Sequence, residues 1–322
     1  MNLLIIPSDN GLGHIRRSII LANFLCKKIK ITILLSKKKK SKFFINKKIN
    51  IILINKIFQI NKKNYSFLNK KKIDDIINKH KFVWIDNFPD LSRLNKKFFL
   101  YYNFLWHKTL QLNQKKFIKL DKEIKKNLSF GNYLFQKQYF RNQNNKLIPF
   151  FGKFKSYKNK KGILISVGTS EYKSLNLIKK NLIKYLKKQN IKNIKFYIDP
   201  KIFDNNLKKM GFTKADYSKK MYNDIKFALI KPGLGTVEEC LKRGIIIIPY
   251  TKNTYSEFFY NSKILIKNKL AYSFQTIEKS LNFIIKNLNN KKLIKQYENN
   301  CKKLKWGGEK KIGKDLLKRL SA

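Results

Sequence analysis

Two short segments of this chain carry side chains whose types and spacing can do chemistry. The first is Ser8-Asp9-Asn10-Gly11-Leu12-Gly13-His14-Ile15-Arg16-Arg17, directly after the apolar run 2–7. Glycines there let the backbone turn tightly and approach a ligand, and the helix that follows offers N–H groups to an anion. No Gly-Lys-Ser/Thr follows, so this is not a Walker loop; the third glycine and the acid of the dinucleotide fingerprint are also missing. The glycines alone would suit a plain strand-to-helix connection, and His14 adds to them. A histidine in the first turn of a helix, at the carboxyl edge of a sheet, sits where ligands bind in open α/β folds. It is read as a neutral imidazole available as a general base. Asp9 can orient or replace it, and is equally a turn residue. Gly11, Gly13 and Arg17 form the expected phosphate or acceptor loop around it.

The second segment is Lys231-Pro232-Gly233-Leu234-Gly235-Thr236-Val237-Glu238-Glu239-Cys240, again between a strand pattern and a helix pattern. Thr236 and the N–H groups at 235–237 can hold a diphosphate. Glu239 lies about one turn into the helix, where a carboxylate can accept both hydroxyls of a ribose diol. A capping box, Thr236 with Glu239, explains the same letters and is compatible with that role.

Positioning these residues takes strands that end beside them. Runs 2–7, 30–36, 50–54, 82–86 and 97–103 alternate with helical segments, as a parallel sheet covered on both faces demands. The polar stretch 141–146 and the Pro149 and Gly152 region mark a composition shift, and the pattern then restarts at 162–168, 195–199, 226–230 and 244–250. The expected architecture is α/β: two Rossmann-like parallel-sheet domains facing a cleft. The expected boundaries are 1–148, a linker at 149–160, and 161–322, with the last segment (about 307–320) crossing back to the first domain.

The charge is extreme: 73 Lys plus Arg against 19 Asp plus Glu, a formal +54. Only six of the 73 are arginines, and the lysines run the full length, so a bidentate reader of phosphates or bases is not indicated. The Lys, Asn, Ile and Phe content looks like the product of an A/T-rich coding sequence. A solvated lysine surface is the plain reading; peripheral contact with an anionic membrane is the functional one. At 43% hydrophobic residues the chain can fill two ordinary cores. Cys26, Cys240 and Cys301 share no metal-like spacing and are expected as buried thiols of a reducing cytoplasm. No run nears the roughly 20 apolar residues needed to span a bilayer, and the leading apolar run is too short for a signal peptide. A cytoplasmic protein, soluble or peripheral on the inner face of the membrane, is expected.

Taken together, the two segments resemble the GT-B glycosyltransferases of the MurG and family-28 kind. Gly11-Leu12-Gly13-His14 matches the amino-terminal loop ending in Gly-His. Gly233-Leu234-Gly235-Thr236-Val237-Glu238-Glu239, then Arg243-Gly244 leading to Pro249, then Glu257-Phe258-Phe259-Tyr260-Asn261, follow the donor motif. The resemblance implies that Glu239 binds ribose and that Glu257 and Asn261 contact the donor sugar or stabilise its loop. It implies that Gly168 and Thr169 meet the donor phosphates from the other side. The family usually has Gln where this chain has Glu257, which leaves the donor sugar unassigned. What is implied is inverting transfer from a nucleotide sugar, UDP-linked, to a hydroxyl acceptor (glycan or lipid-linked) in cell-envelope or glycan synthesis. No metal, no further cofactor and no specific nucleic-acid partner are expected.

Two rivals stay open. Gly-x-Gly-His-x-x-Arg also begins the nucleotide-sugar hydrolases of pseudaminic-acid synthesis, in which the histidine would activate water. Against it, 236–239 reads Thr-Val-Glu-Glu rather than Thr-x-Trp-Glu. The non-enzymatic rival is a basic binding protein that has lost catalysis.

Overall fold

The computed structural model describes residues 1–8, 12–37, 44–55, 58–60, 65–67, 70–86, 97–102, 115–136, 145–158, 160–166, 172–188, 194–251 and 256–321. They form two compact units, Met1–Gly152 with Lys305–Ala322, and Lys153–Leu304.

The first unit runs β1 (Asn2–Pro7), α1 (Leu12–Leu25), β2 (Lys30–Ser36), β3 (Ile49–Ile54), β4 (Phe58–Ile60), β5 (Tyr65–Phe67), α2 (Lys70–Asn78), β6 (Phe82–Asp86), β7 (Lys97–Tyr101), α3 (Lys115–Lys126), β8 (Leu128–Asn132), α4 (Tyr133–Gln136) and β9 (Asn145–Ile148). Seven strands pair in the order β3-β2-β1-β6-β7-β8-β9, every neighbour parallel. The order reverses between β1 and β6, which makes the carboxyl edge of these two strands the switch point where ligands bind in open sheets. Both sheet faces are covered. Leu3 and Ile5 point into a cluster with Ile15, Ile19 and Leu316, while Leu4 and Ile6 join Ile73, Ile77 and Ile124 on the other side. Continuous apolar strands such as 2–7 follow from that double burial.

The second unit runs β10 (Gly162–Ser166), α5 (Tyr172–Lys188), β11 (Lys195–Ile198), α6 (Asn205–Lys209), β12 (Thr213–Lys214), α7 (Lys219–Asp224), β13 (Ile225–Ile230), α8 (Leu234–Leu241), β14 (Ile246–Pro249), α9 (Ser256–Lys267), α10 (Ile277–Asn287) and α11 (Lys291–Lys302). Its five-stranded sheet has the order β12-β11-β10-β13-β14, again all parallel, with the reversal between β10 and β13.

The chain then enters α12 (Gly308–Ser321), whose Ile312, Leu316 and Leu320 are buried in the first unit's core. Its entry is tied there by Gly308 N–H to the Phe150 carbonyl at 2.8 Å and by Glu309 accepting from Gly152 N–H at 2.7 Å. The polar stretch 141–146 ends in a strand: Asn145–Ile148 pairs with β8 as the edge of the first sheet, so Pro149–Gly152 belong to the first unit. β8, β9, the short β12 and the antiparallel β4–β5 pair are elements the sequence pattern did not signal.

Candidate active site

In the first unit three neighbouring strands end side by side. Pro7 is in register with Asp86, and Asp86 with Tyr101. Asp86 is fully buried, and Ser8 N–H donates to its backbone carbonyl at 3.1 Å. From α1 two residues one turn apart reach down to its side chain, as i and i+3 positions on one helix face must. His14 Nδ1 lies 2.8 Å from Asp86 Oδ1. Arg17 grips the same carboxylate twice, Nε donating to Oδ2 at 3.0 Å and Nη2 to Oδ1 at 2.9 Å. Ser18 Oγ donates to Oδ2 at 3.5 Å. The guanidinium is itself buried and lies over the Tyr101 ring, 4.1 Å from its centroid.

Burial pushes the Asp86 carboxyl upward, but the Arg17 charge and the hydrogen bonds from Arg17 and His14 outweigh it and hold it below the usual carboxylate range. The ionised carboxylate only accepts, and the guanidinium only donates. His14 Nδ1, 3.1 Å from Arg17 Nη2 as well as 2.8 Å from Asp86, is therefore assigned the proton and donates to Asp86. That leaves the lone pair on Nε2, with the side chain 23% exposed. The arrangement is a base with a fixed tautomer, held by a carboxylate that is itself fixed by an arginine.

Arg17, expected in a phosphate or acceptor loop, is placed against Asp86 and only 4% exposed, because the buried carboxylate needs a countercharge. Gly13 lies in the first turn of α1. Asp9 and Gly11 lie outside the described residues. Asp86 was missed by sequence reasoning. Its signal was an acid closing the apolar run Phe82-Val83-Trp84-Ile85, where a strand leaves the sheet's carboxyl edge.

In the second unit β13 leads into the turn Lys231-Pro232-Gly233 and then α8, with Gly233 as N-cap and no side chain capping it. Thr236 is therefore the third residue of the helix, so the capping box with Glu239 does not form. The Thr236 and Val237 amides both point to the Gly233 carbonyl at 3.0 Å. The end of α8 that can meet an anion is thus at Leu234 and Gly235, one residue earlier than 235–237. Glu239 is buried; Oε2 accepts from Arg243 Nη1, and Lys242 Nζ is 3.5 Å from Oε1. Arg243 is anchored in turn by Asn223 Oδ1 at 3.0 Å. Asn261 is fully buried and donates through Nδ2 to the Pro232 carbonyl at 3.0 Å, so it braces the turn from α9. Glu257 stands half-buried in the first turn of α9. Gly168 and Thr169 lie outside the described residues.

A polar triangle adjoins this turn. Lys231 N–H donates to the Ser166 carbonyl at 2.9 Å, joining the ends of β13 and β10. Ser166 Oγ and Tyr217 O–H both reach Asp199 Oδ2, at 3.1 and 2.7 Å, and lie 2.9 Å from each other. Burial, then the Asp199 charge, drives the Tyr217 phenol far up, so it stays a protonated donor. Tyr217 has φ 56, a left-handed conformation that a non-glycine residue holds only under constraint. Asp199 follows the strand pattern as Asp86 does, an acid just after an apolar strand beside the first strand of its sheet. Tyr217 left no sequence signal.

Among the described residues, no group of three or more His, Cys, Asp or Glu is placed to hold a metal ion, and no helix is long and apolar enough to cross a membrane.

No protein-family model and no curated protein matches this chain. Solved structures do. Arabidopsis thaliana UGT89C1, crystallised with quercetin, superposes with a TM-score of 0.64 at 13% identity, covering 100% of this chain and 99% of its own. LpCGTa in complex with UDP gives 0.67 at 10% identity with 100% and 99% covered. MurG of Acinetobacter baumannii gives 0.61 at 13% identity with 99% of both chains covered. The likeness shows the fold, the two-unit α/β architecture of GT-B glycosyltransferases.

Proposed function

We propose that the chain is a glycosyltransferase that moves a sugar from a nucleotide sugar, UDP-linked, to a hydroxyl acceptor. The observation that carries this reading is the His14–Asp86–Arg17 cluster at the carboxyl edge of the first sheet. A general base whose tautomer is fixed and whose second nitrogen is open is what deprotonation of a bound hydroxyl requires. His14 Nε2 takes the acceptor proton as the acceptor oxygen bonds to the anomeric carbon. The bond from that carbon to the diphosphate breaks, and its electron pair leaves on the diphosphate. A single displacement inverts the anomeric centre. The leaving charge is met by the Leu234 and Gly235 amides at the start of α8 and by the Thr236 hydroxyl. Glu239, held by Arg243, accepts from the ribose diol, and Glu257 serves the donor sugar. Asn261, buried beneath Pro232, acts by bracing the turn.

The UDP assignment draws support from LpCGTa, solved with UDP, and from the Arabidopsis protein, solved in separate crystals with UDP and with quercetin. A role in cell-envelope or glycan synthesis, independent of metal and on the cytoplasmic side of the membrane, follows from the family-28 resemblance of the motifs.

Water as the acceptor is a second reading. It is favoured by Arg17, the closing residue of Gly-x-Gly-His-x-x-Arg, being built into the base cluster. Incubating the protein with UDP-sugars separates the two. Transfer predicts that UDP release depends on an added acceptor; release that runs at the same rate in water alone overturns it in favour of hydrolysis. A melting temperature that UDP does not raise would sink both.

A further inference from the structure

One buried cation of the second unit takes no part in the proposed transfer. Lys160 is 5% exposed, and each of the three N–H donors of its ammonium has an acceptor within reach. Nζ donates to the Arg243 carbonyl at 2.5 Å, to the Gly244 carbonyl at 3.4 Å and to Glu298 Oε1 on α11 at 3.0 Å. Ser156 Oγ donates to the same Glu298 oxygen. Lys155 N–H donates to the Lys242 carbonyl at 2.8 Å. The three successive carbonyls that follow α8, those of Lys242, Arg243 and Gly244, are thus all taken by the stretch 153–160, with which the second unit begins. A cation at a helix's carboxyl end is well placed to do this.

Arg243 is the residue on which this hold acts. Its carbonyl is taken by Lys160, and its guanidinium is fixed independently: Nε donates to Asn223 Oδ1 at 3.0 Å, and the Tyr222 ring centroid lies 5.4 Å from Cζ. Nη1 then donates to the Glu239 carbonyl at 3.1 Å and to Oε2 of the buried Glu239 carboxylate. A lysine that merely tethered a segment could do so from the surface, because burying an ammonium is costly unless its hydrogen bonds return the loss. We propose that Lys160 is a positioning residue of the nucleotide site. By holding the carbonyls behind α8 it fixes Arg243, and through Arg243 it fixes the Glu239 carboxylate that accepts the ribose hydroxyls of a nucleoside diphosphate. Without the ammonium the Arg243 backbone can shift, and about 1 Å at Nη1 is enough to take a hydrogen bond out of range. The inference rests on the reading of Glu239 as the ribose acceptor and holds whether the sugar goes to a hydroxyl or to water.

The test is calorimetry of the full chain with UDP and with 2′-deoxy-UDP. The two ligands carry the same charge, so the attraction of a +54 protein cancels in the ratio of their affinities, which reads the ribose contact. The parent should prefer UDP by about tenfold or more, as loss of a hydrogen bond to a charged group implies. Glu239→Gln should lower that ratio. A parent ratio near one, or one that Glu239→Gln leaves unchanged, would remove Glu239 from the ribose, and the inference would fall with that reading. Lys160→Met, apolar and nearly as long, should lower the ratio by about threefold or more, within the range of coupling between residues of one network. In the Glu239→Gln background the same change should lower it no further. Lys226→Met is the structural control, since Lys226 Nζ donates to the Leu288 carbonyl after α10 at 2.8 Å in the same unit. It should reduce the melting temperature and leave the ratio at the parent's. If Lys160→Met does not fold, Lys160→Gln, which keeps N–H donors on a shorter stem, is measured in its place with the same expectation. A reduced melting temperature with the parent's ratio in the Lys160 variant would overturn the inference and make Lys160 a tether alone. A full further loss in the Glu239→Gln background, or an equal fall in Lys226→Met, would overturn it too.

Discussion

Asp86→Asn removes one charge and changes almost no volume, so its consequences can be worked from the geometry around it. The carboxylate is fully buried and takes hydrogen bonds from His14, twice from Arg17, and from Ser18. An amide keeps one acceptor oxygen but presents N–H groups to the other donors, so His14 loses the acceptor that fixes its Nδ1 proton. Loss of a tautomer-fixing carboxylate lowers turnover by about 10⁴-fold in triad chemistry. Stability falls for a separate reason, because Arg17, 4% exposed, is left as an uncompensated buried cation. Breaking such a pair costs about 3–5 kcal/mol. For a unit of this size each kcal/mol is worth about 2–4 °C, so melting of the first unit should drop by about 6–20 °C. The two effects separate in the double variant Asp86→Asn with Arg17→Met. It removes the stranded cation and should recover most of the melting temperature while turnover stays lost. The assays are acceptor-dependent UDP release and a thermal melt. If Asp86→Asn keeps turnover within a few-fold of the parent, Asp86 does not set the state of His14, and the base assignment fails with it.

The same carboxylate gives a pH signature. Its folded-state value lies below the unfolded one, near 3.9, so its contribution is fully present above about pH 4 and is lost as pH falls through the lower folded value. The stability gap between parent and Asp86→Asn in urea melts should therefore be flat above about pH 4 and close below it; a gap that widens in acid would contradict the assigned direction. His14→Ala should abolish turnover and leave the UDP-induced rise in melting temperature intact, whereas loss of both would make His14 structural or donor-binding. Glu239→Gln should weaken UDP by tenfold or more in calorimetry, as a lost charged hydrogen bond of about 1.5–3 kcal/mol requires, and undiminished binding would remove Glu239 from the ribose. Gly244→Ala forces an L residue to φ +62 and sets a Cβ 2.7 Å from Glu298 Cγ. It should destabilise the second unit by at least about 1–2 kcal/mol in denaturant melts, and an unchanged midpoint would mean that the turn relaxes freely.

The fold was legible where burial is two-sided. Runs such as 3–6, 82–85 and 163–165 are apolar at every position, as strands covered on both faces of a parallel sheet must be. The edge strand Asn145–Ile148 was not legible, since its residues read Asn-Lys-Leu-Ile and half of that pattern is polar. The end of α8 was misplaced by one residue for a local reason. The sequence offered a threonine and a glutamate at capping spacing, but Gly233, with no side chain to bond, took the cap position, and the Thr236 amide went to its carbonyl.

The site was half legible, and the missing half has one physical cause. Glycine turns announce themselves because few other residues tolerate them, so Gly13–His14 and Gly233–Thr236 could be found by spacing. The groups that hold such residues in place come from other strands, 69 residues away for Arg17 and Asp86 and 33 for Ser166 and Asp199, and sequence distance carries no trace of register. Yet both acids obey one rule. Each follows the apolar core of a strand directly beside the first strand of its sheet, β6 beside β1 and β11 beside β10. A carboxylate there emerges at the carboxyl edge next to the first glycine turn or its equivalent, buried by its neighbours, and it persists only if cations or hydroxyls reach it. In the first unit the partners are a histidine and an arginine, which make a base. In the second they are a serine and a tyrosine, two hydroxyl donors that make a brace. On opposite flanks of the first strand in two similar sheets, the proposed base and the brace thus differ in whether a partner can carry a proton away.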